Sequence, residues 1–496
     1  MIHQYVNNGY HIVLDVNSGS VHVMDGLSYQ AVPLIEPVWE AWRKREQTEE
    51  TASGISAKEE QAEEISGTSA GKEQGVELPE MLLEQAAEAL RELACTEAEK
   101  REIAEELLSL AQAGQLYTED IYKNYIFDFK NRQTVVKALC LHIAHDCNLA
   151  CKYCFAEEGE YHGRRALMSF EVGKKALDFL VANSGNRVQL EVDFFGGEPL
   201  MNWQVVKDLV AYGRSLEEPF HKKFRFTLTT NGVLLNDEIL EFCNREMANL
   251  VLSIDGRKEI HDLMRPFRGG QGSYDMIVPK FEKAAKSRNQ MNYYVRGTFT
   301  RHNLDFSKDV LHLVDLGFEQ ISVEPVVAEK TEEYALREED IPVLLEEYDR
   351  LAKELIRYGK EGKGFNFFHF MIDLEGGPCV AKRLSGCGSG TEYLAVTPWG
   401  DFYPCHQFVG REEFLMGNVD EGILRTDIRD SFKECNVYAK EKCKDCFAKF
   451  YCSGGCAANS YNFHGSITDT YEIGCELQRK RIECAIMIKA ALAEGE

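Results

Sequence analysis

Apolar positions change their period several times along the chain. Near the start, His11-Ile12-Val13-Leu14-Asp15-Val16 and Val21-His22-Val23-Met24 are short β-rich runs joined through Asn17-Ser18-Gly19, a hairpin turn. The first 36 residues read as β structure, and Trp39 and Trp42 fall on a helix that follows. Thr48 to Gly75 carries almost no apolar residue and reads as a disordered or loosely helical insertion. Helical periodicity returns from Leu78 to Ala94 and from Glu97 to Ala113, closed by Gly114. These segments predict a small mixed α/β domain over residues 1–120, interrupted at about 46–78.

From Lys137 the pattern alternates between strand and helix. Strands are predicted at Ala138–Ile143, Leu190–Phe195, Phe224–Thr229, Leu250–Ile254, Tyr294–Phe299 and Ile321–Glu324. Helices fit between them: Ser169 to about Gly185, Trp203–Ser215, Asp237–Glu246, Ser273–Ser287 and Asp305–Leu316. Six β–α units in succession predict a parallel sheet with right-handed crossovers, hence a barrel or partial barrel over 135–335. Function is then expected at the C-terminal ends of the strands. A long charged helix, about Arg337 to Gly359, bridges (336–375) to a cysteine-rich region at 376–484.

Composition narrows the partners. The 496 residues include 81 acidic and 56 basic ones, a formal net charge of -25, which disfavours nucleic acid and anionic membranes. Between Glu46 and Glu99 there are 15 acidic and 3 basic residues, so much of this charge belongs to the insertion. No run of about 18 apolar residues occurs, and the start lacks a basic-then-apolar signal pattern. Both features predict a cytoplasmic protein without a membrane span. Its 16 cysteines are clustered, which in such a setting suggests metal or redox chemistry rather than disulfides.

The first cluster, Cys147-x3-Cys151-x2-Cys154, follows the first predicted strand of the alternating region. Three thiolates can hold a [4Fe-4S] cluster with one iron left open. Buried thiols on one helix face, or a zinc site, are the alternatives from composition. The second cluster comprises Cys379, Cys387, Cys405, Cys435, Cys443, Cys446, Cys452, Cys456 and Cys475, within which Cys387-x12-Gly400-x4-Cys405 precedes Cys443-x2-Cys446-x5-Cys452-x3-Cys456. A zinc ribbon is the rival reading of its C-x2-C part. Cys95, Cys140, Cys243 and Cys484 are isolated and read as structural.

The first motif, with Tyr153 at the aromatic position, resembles that of the radical S-adenosylmethionine (SAM) superfamily. The resemblance extends to Gly196-Gly197-Glu198-Pro199 after the second strand, Thr230-Asn231 after the third, and Ser253 and Asp255 after the fourth, followed by Arg265. It implies that Cys147, Cys151 and Cys154 hold the catalytic cluster. By the same resemblance, Tyr153, Phe155, Gly196, Gly197, Glu198, Pro199, Thr230, Asn231, Ser253, Asp255 and Arg265 surround SAM, with the glycine turn and Glu198 at its methionine ammonium. The later cysteines resemble the SPASM extension, which implies two auxiliary [4Fe-4S] clusters, three in all. One takes Cys387, Cys405 and Cys456, completed by Cys379 or by a substrate thiolate; the other takes Cys443, Cys446, Cys452 and Cys475. Cys435 is a spare ligand or a buried thiol.

The opening Met1-Ile2-His3-Gln4-Tyr5, the Asn17–Val23 stretch and the tail Phe450-Tyr451-Cys452-Ser453-Gly454-Gly455-Cys456 resemble the maturases of SCIFF peptides (six cysteines in forty-five residues). This resemblance implies a winged-helix-like N-terminal domain that binds the leader of a short Cys-rich precursor peptide by strand addition. It further implies a thioether bond between a Cys sulfur and a carbon of another residue, with Thr as the expected acceptor, and an electron donor such as flavodoxin or ferredoxin. The competing functions are another SPASM enzyme, such as an anaerobic sulfatase-maturing oxidase of Cys or Ser, and a non-catalytic iron–sulfur electron carrier.

Overall fold

The computed structural model describes residues 1–53, 78–125, 134–161, 163–374 and 380–493. Most of the acidic insertion and Cys379 lie outside them. The chain divides into two compact units, Met1–Lys123 and Asn124–Glu496.

In the first unit, β1 (Ile2–Asn7), β2 (Tyr10–Asp15) and β3 (Val21–Met24) form an antiparallel meander in that order. The expected hairpin is its second half. The first half turns at Asn8-Gly9, where φ is 51° and 88°, and Asn7 pairs with Tyr10. Asn-Gly is the residue pair that a two-residue primed turn selects, because both positions need positive φ.

The expectation of β structure up to residue 36 fails after Met24. Helix α1 runs Gly26–Ser53 in spite of Pro33 and Pro37. Asp25 starts it: its Oδ1 accepts from the backbone N–H of Leu27 (2.7 Å) and of Ser28 (3.0 Å), groups that the first turn cannot pair internally. Ala31, Val32, Ile35 and Trp39 then recur at helical spacing. They pack with Leu82, Leu83 and Ala86 of α2 (Glu80–Ala89) and with Ile103, Leu107 and Leu108 of α3 (Glu97–Gln112). Helix α2 stops short of the expected Ala94. Leu90 and Leu93 turn into the core, which frees Thr96 to form a capping box with Glu99 at the start of α3.

The second unit is built on β4 (Ala138–His145), β5 (Gln189–Gly196), β6 (Lys223–Thr230), β7 (Met247–Ser253), β8 (Tyr293–Phe299) and β9 (Gln320–Pro325). They lie side by side in chain order, every neighbour parallel. The crossovers are helical: α4 (Phe170–Asn183), α5 (Trp203–Phe220), α6 (Asp237–Glu246), α7 (Lys258–Met264), α8 (Tyr274–Ser287) and α9 (Phe306–Asp315). Of these only α7 has no counterpart among the sequence expectations; it spans just seven residues, too few to display a period. All eight residues of β4 are buried, as a strand covered on both faces requires.

Among the described residues the sheet is an open path. After α10 (Ile341–Lys360), β10 (Asn366–Phe367) extends it beside β9. On the other side β11 (Tyr393–Val396) pairs in parallel with β4, and β12 (Asp401–Tyr403) pairs with β11 in the antiparallel sense. The cysteine-rich region is therefore continuous with the central sheet. Its helices α11 (Ala457–His464) and α12 (Glu472–Ala493) follow, and α12 packs on α10, where Arg481 Nε donates to the Tyr348 hydroxyl (2.8 Å).

Candidate active site

The C-terminal ends of β4 to β7 converge on a cavity of about 150 Å³. Cys147 lies two residues past the end of β4, and the loop carrying Cys147, Cys151 and Cys154 is held by the end of α7 and the segment after it. Lys152 N–H donates to Met264 O and Ala150 N–H to Pro266 O, both at 2.9 Å. That pairing brings Arg265 to the wall that the three cysteines line. Burial pushes the Cys147 thiol up to about 12 and Cys151 up to about 11, with Arg265 opposing the rise at Cys151. A ligand that needs thiolates must displace their protons.

The glycine turn after β5 is fitted against the backbone of this loop. Gly197 N–H donates to Ala144 O (2.7 Å) and Glu198 N–H to Asp146 O (2.9 Å). A Cβ on Gly197 would lie 2.1 Å from Asp146 O, and one on Gly196 2.4 Å from Ala144 O. Gly196 also sits at φ +124°. Both positions therefore exclude a side chain.

Glu198 is fully buried and ties this turn to the end of β6. Its Oε1 accepts from Leu200 N–H (3.0 Å) and Thr230 Oγ1 (2.8 Å), and its Oε2 from Asn231 N–H (2.8 Å). Burial raises its pKa, and these donors oppose the rise. Three of about four acceptor positions of the carboxylate are used inside the protein. Asn231 in turn donates from Nδ2 to Asn148 Oδ1 (2.7 Å), 3.6 Å from Cys147 Sγ.

The ring hydroxyl of Tyr153 donates to the carboxylate of Asp255 (2.8 Å to Oδ1) and accepts from Arg265 Nη1 (2.8 Å). Burial pushes Asp255 up to about 6, against the pull of Arg265. Of the residues expected around SAM, Tyr153, Phe155, Gly196, Gly197, Glu198, Pro199, Thr230, Asn231, Ser253 and Arg265 line the one cavity. Asp255 does not. It lies behind the wall and positions Tyr153 and Arg265 instead.

The later cysteines sort into two sets by electrostatic reach. The charges of Cys456 and Cys387 raise the Cys405 thiol, whereas those of Cys475, Cys443 and Cys446 raise Cys452. The second set lines a cavity of about 250 Å³. Burial pushes Cys443 up to about 11 and Cys452 up to about 12. Cys435 is buried within reach of both sets, its Sγ 3.1 Å from Ile467 O. Cys140, Cys243 and Cys484 are buried and Cys95 half-buried.

The donor sets fit iron–sulfur clusters. Each set offers three or four thiol sulfurs, the donors that such clusters take.

Sequence reasoning missed His406. Its ring lies 5.6 Å from that of Phe155 and 5.1 Å from that of Phe195, two residues of the first cavity, and it adjoins Cys405 of the later group. Burial pushes it down to about 4, so it is neutral. Only its place next to Cys405 could have drawn attention to it. Tyr161, whose hydroxyl donates to Gly196 O (3.2 Å), was also missed.

With this geometry in view, comparison defines the class. Residues 141–305 match the family model of the Radical SAM superfamily. The relatives include sulfatase-maturating enzymes and a cyclopropyl synthase. The cysteine-type anaerobic sulfatase-maturating enzyme of Clostridium novyi is 24% identical over 67% of this chain and 90% of its own length. The radical SAM cyclopropyl synthase TigE of Paramaledivibacter caminithermalis is 21% identical over 69% of this chain and 72% of its own. Among solved structures, native anSMEcpe with bound AdoMet shares the fold, with a TM-score of 0.60 at 20% identity, covering 72% of this chain and 99% of its own. No helix among the described residues is long and apolar enough to cross a membrane.

Proposed function

We propose that this radical SAM enzyme installs a thioether between a Cys sulfur and a carbon of another residue, with Thr as the expected acceptor, in a ribosomally made Cys-rich precursor peptide in the cytoplasm. The observation that carries the reading is the sorting of ten cysteines into three sets: one against the glycine turn and Arg265, and two in a region continuous with the same sheet.

In this reading residues 1–120 recognise the leader, 135–335 form the radical SAM partial barrel, 336–375 bridge, and 376–484 are the SPASM region. Cys147, Cys151 and Cys154 hold the cluster that, with SAM and an electron from a flavodoxin or ferredoxin, supplies a 5′-deoxyadenosyl radical to take hydrogen from the acceptor residue. Arg265, with Tyr153 and Asp255 behind it, orients the cofactor. Glu198 holds the glycine turn rigid against it. Forming the bond removes two hydrogens from the peptide: one leaves with 5′-deoxyadenosine, the other as a proton and an electron. Cys387, Cys405 and Cys456 would hold a cluster able to accept that electron, and Cys443, Cys446, Cys452 and Cys475 would hold a third. The neutral His406, packed on Phe155 and Phe195, helps to keep water out of the space between the first two sets.

The test is anaerobic turnover with the precursor peptide, read by mass spectrometry. Wild type should contain roughly 12 Fe and yield a peptide lighter by about two hydrogens. The triple Cys147→Ala, Cys151→Ala, Cys154→Ala variant should lose about a third of the iron and all 5′-deoxyadenosine formation. Continued cleavage of SAM by that variant would reject the assignment, and an electron carrier would make no 5′-deoxyadenosine at all. The likeness to the Clostridium novyi enzyme supports a second reading, oxidation of a Cys or Ser in a sulfatase. The Met1–Lys123 unit favours the first reading, because an alignment reaching 90% of that relative uses only 67% of this chain.

A further inference from the structure

Strand β8 has two unlike faces. Tyr293, Val295, Gly297 and Phe299 are buried, and Phe299 stacks on Phe306 of α9 at 4.4 Å, so this face lies under the helices. Tyr294, Arg296 and Thr298 take the opposite face, where Arg296 is exposed. In register, Arg296 sits beside Ser253 of β7 and Ser322 of β9. Ser253 is a wall of the first cavity. Arg296 therefore stands one strand outside the space expected to hold SAM, on the same face of the sheet.

Its guanidinium is uncommitted. Among the described residues it has no ion pair and no side-chain hydrogen bond. Arg265 and Arg481, by contrast, donate to the hydroxyls of Tyr153 and Tyr348. An arginine on an outer surface needs no partner, because water serves. Arg296 instead stands beside the first cavity, and its charge reaches His406, which packs on Phe155 and Phe195 of that cavity. The groups around it leave its charge unmatched. Ser253, Thr298 and Ser322 are neutral, and so is His406, pushed down to about 4 by burial and by Arg296 itself. Glu324 of β9 is ionised, but it accepts from His369 Nε2 (2.7 Å) rather than from Arg296. This wall repels a cation and offers a fork of N–H donors to an anion. A carbonyl would use one donor, whereas a carboxylate takes two in parallel and meets the charge as well.

We propose that Arg296 is a specificity residue that binds a carboxylate of the substrate peptide, from an Asp or Glu side chain or from the C-terminus. The inference rests on the peptide-modifying function above and deepens it by naming what the peptide must carry. A carboxylate held there fixes the register of the chain beside the first cavity. Such positioning brings the acceptor carbon to the radical rather than a neighbouring one.

The experiment uses the full chain with its clusters and follows crosslinking of the precursor peptide, reading KM for peptide and KM for SAM separately. Arg296→Gln should raise the KM for peptide roughly tenfold, and Arg296→Lys, which keeps the charge but loses the fork, by a smaller factor. The peptide is then altered one carboxylate at a time: each Asp to Asn, each Glu to Gln, and the C-terminus to its amide. One of these peptides should show the same rise with wild type and almost none further with Arg296→Gln. Its identity tells whether a side chain or the terminus is held. Where it is a side chain, a Lys in its place should restore crosslinking by Arg296→Glu. Additive effects for every altered peptide, or a matching rise in the KM for SAM, would overturn the role of Arg296 and leave the thioether reading standing. A wild type that makes 5′-deoxyadenosine but no crosslink overturns the functional reading, and the peptide as ligand of Arg296 with it.

Discussion

At Gly197 a methyl group has nowhere to go, because the nearest atom it would meet is a carbonyl oxygen of the cysteine loop. Gly197→Ala should therefore displace the turn from that loop, at a cost of about 1–3 kcal/mol, and should lower 5′-deoxyadenosine formation far more than iron content. Wild-type turnover by this variant would mean that the turn does not position the cofactor. Tyr153 and Asp255 make a related point about side chains. Both are named by motif, yet only Tyr153 reaches the cavity, while Asp255 spends its carboxylate on the tyrosine hydroxyl, the Thr298 N–H and the Arg265 charge. A motif marks that a residue belongs to a site without saying whether it touches the ligand or holds the residue that does.

Among the elements, the helices with recognisable start signals behave as local chemistry requires. Thr96 and Glu99 close a reciprocal capping box on α3, with Thr96 N–H donating to Glu99 Oε2 at 2.7 Å. Thr96→Ala should lower the unfolding free energy by about 1 kcal/mol, read by denaturant unfolding, and leave SAM cleavage at the wild-type rate. A change in cleavage would reveal coupling between the two units. Helix α1 shows the opposite case. Two internal prolines and a preceding β pattern conceal it, and it stands because Asp25 caps its start and its apolar face closes the core over α2 and α3. The Asn8-Gly9 pair is itself a local turn signal, but β1, with its mixed polar residues, lacks the apolar run that marks β2.

At the scale of the whole molecule, the Met1–Lys123 unit has its own apolar core. On the proposed leader recognition by strand addition, deleting residues 1–123 should leave peptide-independent SAM cleavage within about twofold of wild type and abolish modification of the full precursor. Equal modification by the truncated enzyme would reject leader recognition. The amino-acid sequence by itself determined the alternation of strand and helix, the six parallel strands and the spacing of the cysteines, because these depend on side-chain period and on short-range separation along the chain. The tertiary structure alone decided that β11 pairs with β4 and so joins the cysteine-rich region to the central sheet. It alone brought His406 against Phe155 and Phe195 and set Asp255 behind Tyr153. Those relations join residues up to hundreds of positions apart. No local period or spacing encodes them; they exist only once the sheet has assembled and its loops have packed at the ends of the strands.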